Sequence, residues 1–145
     1  MKTHRTFNWV GGLMLLSLCL AHGQVPMEIS YQGRLTASAT NFAGTGYFKF
    51  SLVDRSGAVT YWSNDGTGLA GGEPAQPVAL SVDNGLFTVG LGNTSLANMT
   101  ALSPLVFTNA ELFLRIWFGP APNSLVKLAP DQRVTSVGYA MMTVN

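Results

Sequence analysis

Hydrophobic and polar residues alternate most regularly between Pro77 and Gly92, in the run PVALSVDNGLFTVGLG. Val78, Leu80 and Val82 fall on one side and Ala79 and Ser81 on the other, the period-two pattern of a half-buried strand. Asp83, Asn84 and Gly85 interrupt the run, and Asn-Gly is the strongest short-range hairpin signal because both residues accept positive φ. Phe87, Val89 and Leu91 then resume the alternation on a return strand. Two strands cannot bury such a face alone, so further strands must cover it.

The flanking sequence supplies them. Residues 28–35 predict a first strand with Ile29, Tyr31, Gly33 and Leu35 on one face, and residues 36–46 a small, polar loop. Residues 47–53 predict a strand with Phe48, Phe50 and Leu52 inward. A turn at 54–57 leads into a return strand, 58–63, that buries Trp62. Residues 64–76 are a Gly-rich loop. Residues 93–109 form a longer connection with a short helical turn at 95–99. Strands follow at 111–118, 125–129 and 132–139, separated by Gly119, Pro120, Pro122 and Asn123. About eight short strands and no amphipathic helix predict an all-β fold, an antiparallel β-sandwich.

The first segment has a different character. Lys2, His4 and Arg5 precede an apolar run, 9–20, shorter than the roughly 20 residues of a membrane span. Ala21 and Gly23 then place small residues at the positions a signal peptidase reads. Residues 1–23 are expected to be a signal peptide cleaved between Gly23 and Gln24, leaving residues 24–145 as one domain that is secreted or held at the cell surface. A lipid attachment at Cys19 is disfavoured by the bulky Leu18 before it.

Cleavage there narrows the chemistry. His4, His22 and Cys19 are the chain's histidines and cysteine, and all leave with the leader. The remainder can form no disulfide, no Cys/His zinc site, no Ser-His-Asp triad and no Cys-His pair. Losing Lys2 and Arg5 takes the eight basic residues to six, against seven acidic ones. That balance gives no basis for binding nucleic acid or, once the leader is gone, an acidic membrane. Charged residues fall well below the roughly 25% of an average soluble domain. Either part of the surface is covered by another copy or another domain, or it is a Thr/Ser/Asn-rich β surface.

At this point the residues resemble a family. Tyr31-Gln32-Gly33-Arg34-Leu35, then GYFKFSLVD at 46–54, Asn84-Gly85-Leu86-Phe87-Thr88-Val89 with Leu91-Gly92, and LAPDQRVTSVGYA at 128–140 occur in that order. The series is similar to the β-rich N-terminal module of large secreted bacterial proteins, with motifs of the type YQGRL, NGLFSVxLG and PRQxLTSVPYA. Asp131 stands where that family has Arg, and Gly138 where it has Pro. The resemblance implies a non-catalytic module that commonly precedes a repetitive, tail-fibre-like or collagen-like stalk.

Candidate chemistry is sparse. Gly66, Gly68 and Gly71 fit G-x-G-x-x-G, but Pro74 follows where a phosphate-binding helix would have to start, so a flexible loop is expected. Asp54 and Asp83 sit in turns, and no acidic spacing matches a calcium loop. Lys49 and Lys127 have no serine motif around them and are expected to be solvated. No catalytic residue, metal ligand or cofactor is assigned.

The strand at 111–118 is the one suggestive feature. Leu112, Leu114, Ile116 and Phe118 share one face, and Phe113, Arg115 and Trp117 share the other. The second face is buried under the rest of the chain, or meets another domain or subunit, or stacks on a sugar. The expectation is a structural or interaction module that binds a protein partner or itself, with carbohydrate binding through Phe113, Arg115 and Trp117 as the alternative.

Overall fold

A computed structural model of the chain describes residues 27–37 and 40–135. The predicted leader and its Gly23–Gln24 junction lie outside the described residues. Among the described residues the fold is all-β and antiparallel, with ten strands: β1 (Ile29–Arg34), β2 (Thr36–Ala37), β3 (Thr40–Asn41), β4 (Gly44–Val53), β5 (Thr60–Ser63), β6 (Val78–Val82), β7 (Leu86–Leu91), β8 (Phe113–Gly119), β9 (Val126–Lys127) and β10 (Gln132–Arg133). Of these, β2, β3, β9 and β10 have two residues each.

Strands β4 and β8 are the axis of a six-stranded sheet. Along one edge of β4 lie β6 and then β5; along its other edge lies β8, which pairs in turn with β9 and β10. Facing this sheet is a ladder of two strands, β1 and β7, in register from Ile29↔Leu91 to Arg34↔Leu86. The alternation read from the sequence packs the space between: Phe48, Phe50 and Leu52 from β4, Leu114 and Ile116 from β8, and Phe87, Val89 and Leu91 from β7 are all buried. Phe48 joins the layers, its ring centroid 4.4 Å from Phe87 and 5.1 Å from Phe118. A buried aromatic or aliphatic side chain of this kind contributes about 1.5–3 kcal/mol.

The central hairpin is real only at its tip. Asn84 (φ 49°) and Gly85 (φ 81°) form the expected turn with both φ positive, and Asp83 and Leu86 exchange backbone bonds of 2.9 and 2.8 Å. The arms then part: β6 joins β4 in the large sheet, and β7 joins β1 in the small one. The turn is thus a corner that closes one side of the sandwich. It is tied down by Gly85 N–H donating to Phe42 O, and by Leu35 N–H donating to Gly85 O, both at 2.7 Å.

Several expectations shift. The 36–46 loop contains the β2–β3 hairpin and the start of β4. The helical turn expected at 95–99 is a set of non-helical turns; the short 3₁₀ helix lies later, at Pro104–Thr108, where Ser103 Oγ accepts from Leu105 N–H and proline begins the turn. The strand expected at 132–139 is Gln132–Arg133, and residues after 135 lie outside the described residues. Among the described residues no helix is long and apolar enough to cross a membrane.

Candidate functional site

The outer face of the large sheet carries Phe113, Arg115 and Trp117, and of the three readings open to it, burial under the chain, a partner, or a sugar, the first describes Arg115 and Trp117. Arg115 is 9% exposed and Trp117 5%, while Phe113 is half-buried. The cover is the loop between β5 and β6, together with the turn before β5. Arg115 Nη1 donates to Gly57 O (3.2 Å) and Gly71 O (3.1 Å), one carbonyl from each. Arg115 Nε and Nη2 meet both Asp131 carboxylate oxygens at 2.7–3.1 Å. The Asp131 bond, opposed by burial, holds the guanidinium above its ordinary pKa. Lys49, expected in solvent, is instead 8% exposed under the same loop, where its Nζ pairs with Glu73 at 2.7 Å. Trp117 and Arg115 therefore offer no free surface, and Phe113 keeps part of its ring exposed. Gly66, Gly68 and Gly71 lie in this covering loop, without a helix to receive a phosphate.

Asn64 organises the cover, and nothing in the sequence marked it. Fully buried, it accepts at Oδ1 from Phe50 N–H (2.9 Å) and donates from Nδ2 to Gln76 O (2.8 Å) and Asn98 O (3.0 Å). Its backbone accepts from Thr100 N–H at 2.6 Å. One side chain thus pins the ends of two loops to β4. A polar residue at the edge of a Gly-rich stretch reads as loop; only the tertiary structure brings those carbonyls to it.

The acidic turn residues are engaged locally. Asp54 accepts from Ser56 Oγ (2.6 Å) and Val59 N–H (2.9 Å), which hold its carboxyl down at about 2. At Asp65 burial works upward, but bonds from Thr67 Oγ1, Thr67 N–H and Gln76 N–H outweigh it and the net shift is downward. Among the described residues no three His, Cys, Asp or Glu side chains come together.

The open side of the sandwich lies opposite the corner. There, among the described residues, β1 is the free edge of the small sheet and a strap, residues 128–135, borders the large one. The strap is tied to β8 by Leu128 N–H to Ile116 O (2.8 Å) and Val134 N–H to Leu112 O (2.9 Å). Between β1 and the strap runs a groove with two cavities. One, of about 280 Å³, joins the second half of β1 to Leu128–Gln132 over a floor of Phe87, Leu114 and Ile116. The other, of about 210 Å³, joins Ile29–Tyr31 to Gln132–Thr135 over Leu52 and Leu91. Tyr31 OH, donating to Gln132 Oε1 at 2.6 Å, crosses between them. Burial, opposed by that bond, raises the Tyr31 pKa. Among the described residues the charged ones lining the groove are Arg34 and Arg133, and no carboxylate side chain lines it. The sequence showed these residues as strand and motif positions. Which strand stands at an edge follows from the pairing and not from its alternation.

The fold and groove define an all-β sandwich sealed on its outer sheet face and open along one seam. A family model described as Domain of unknown function (DUF8740) matches residues 30–131, most of the chain, and the protein belongs to that family. The match begins inside β1 and ends at Asp131, so it includes the Arg115–Asp131 pair and every residue lining the first cavity except Gln132. No curated protein and no solved structure matches the chain.

Proposed function

We propose that this protein is an exported, non-catalytic β-sandwich module with a structural or interaction role, at the cell surface or in a secreted assembly. The observation that carries the reading is the use made of its ionic groups. Asp54 and Asp65 cap turns, Asp131 clamps Arg115, Glu73 pairs with Lys49, and Glu111 lies 3.5 Å from Arg55 and 3.7 Å from Arg133. These groups hold the protein's own loops and strands in place, a disposition suited to a rigid module. The basic, then apolar, then small-residue leader supports export, and the similarity to N-terminal modules of secreted bacterial proteins supports a place in a larger assembly. The carbohydrate alternative loses its motive, since stacking on a sugar needs the faces of Phe113 and Trp117, and Trp117 is buried.

Expression of the full chain in a bacterium, followed by fractionation and mass spectrometry, tests export. The expected product lies outside the cytoplasm and begins at Gln24; an intact leader on a cytoplasmic product would overturn it. A glycan array with that product is expected to show no binding. Sugar binding lost in Trp117→Ala would return the carbohydrate reading.

A further inference from the structure

We propose that the groove between β1 and the strap receives an extended segment of another protein, apolar at alternate positions and carrying an Asp or Glu for Arg34, which adds as a strand to the open edge of β1. The inference rests on the interaction role proposed above and names its partner.

Four observations carry it. First, β1 pairs with β7 alone among the described residues, so its other edge presents backbone N–H and C=O groups toward the groove. That edge is not blunted: the strand reads ISYQGR, with no proline and a single charge at its end. Second, the seam is wider than a strand pair. Paired strands lie about 4.8 Å apart, whereas here β1 and the strap are linked by two side chains end to end, Tyr31 to Gln132, with cavities of about 280 and 210 Å³ on either side. Third, the floor is apolar core. Phe87, Leu114 and Ile116 underlie one cavity and Leu52 and Leu91 the other, so alternate side chains of an added strand would rest on them. Fourth, the charge is one-sided. Arg34 is exposed and has no carboxylate partner among the described residues, and Arg133 has only a 3.7 Å contact with Glu111. A carboxylate near the Arg34 end would gain a charge-assisted bond that a neutral strand lacks.

The same charge argument selects the occupant. A second copy pairing through its own β1 brings no carboxylate within the strand, since ISYQGR has none and the Glu28 side chain just before it lies over Gly90 of β7, and it sets one Arg34 beside the other copy's strand. Residues 136–145, SVGYAMMTVN, contain no Asp or Glu either.

The test uses the full chain and two fluorescein-labelled, C-terminally amidated heptapeptides of alternating valine and threonine, one with aspartate and one with lysine at the penultimate position. Fluorescence polarisation should show saturable binding of the aspartate peptide and at least tenfold weaker binding of the lysine peptide. Arg34→Glu, an exposed change whose fold circular dichroism checks, should reverse that preference, and amide exchange along β1 should slow on binding. Absence of saturable binding, or binding indifferent to both charge swaps, would overturn the proposal. So would binding seen only after residues 136–145 are removed, or a peptide that acts by dissolving a dimer of the chain. A product that is exported and still associates with itself or another protein while ignoring both peptides would lose the groove and keep the interaction role.

Discussion

Asn64 shows how much a single polar side chain can hold in a fold with few charges. It is fully buried, yet both ends of its amide are satisfied, by Phe50 N–H on one side and by Gln76 O and Asn98 O on the other. Truncation would leave the buried Phe50 N–H and two part-buried carbonyls without these partners, and a buried group so left costs about 1–3 kcal/mol. Asn64→Ala is therefore expected to destabilise the protein by about 3 kcal/mol or more in urea unfolding. Asn64→Asp should be worse at neutral pH, because the carboxylate would face the Gln76 and Asn98 carbonyls without a proton to donate. An Asn64→Asp variant as stable as the parent would mean that the side chain does not hold the two loops. Gly33 illustrates the opposite economy, a missing side chain. A Cβ there would lie 2.5 Å from Phe87 Cζ, so the ring occupies the space that glycine leaves open on β1.

Among the elements, the corner between β6 and β7 best separates what alternation can and cannot say. The period-two runs and the Asn-Gly turn were legible because they follow from local chemistry, and the turn has the φ values that chemistry requires. The parting of its arms into two sheets was not legible, because both arms bury one face in either arrangement. Gly85 tests the corner. It has φ 81°, and a Cβ there would lie 2.6 Å from Leu35 O, which accepts nothing from the turn but belongs to the segment whose N–H binds Gly85 O. Gly85→Ala should therefore cost about 1–3 kcal/mol. Equal thermal stability of Gly85→Ala and its parent would detach the corner from β1. The same limit governs the strand Phe113–Gly119. Its two apolar faces were visible, but the loop that seals one of them is too rich in glycine to announce a fixed path, and its anchors, Asn64, Gly57 O and Gly71 O, are polar or backbone groups.

At the scale of the whole molecule, the sealed face and the open groove are mechanically linked through the strap. Asp131 reaches through to Arg115 on the far side of β8, while its neighbours Pro130 and Gln132 line the groove. Arg115 in turn gathers Gly57 from the turn before β5 and Gly71 from the covering loop, so one guanidinium joins turn, loop, central strand and strap. Only a planar fork with several donors can serve a carboxylate and two carbonyls together; an ammonium on a shorter reach cannot. Arg115→Lys is therefore expected to behave as a loss, not as a conservative change. Asp131→Ala leaves a buried guanidinium with its carbonyl partners but no carboxylate in contact, Asp54 acting on it only from a distance. Removing one member of a fully buried pair costs about 3–5 kcal/mol, and the 22% exposure of the Asp131 side chain should reduce this to about 2–3 kcal/mol. The regional effect should exceed the global one, since the strap's other ties to β8 are a few backbone bonds at its ends. Limited trypsin digestion reads this directly, because Lys127 and Arg133 bracket Asp131. Cleavage at those two sites should accelerate in Asp131→Ala and in Arg115→Lys well before the chain unfolds. Unchanged cleavage would mean that the groove's outer wall stands without the clamp beneath it.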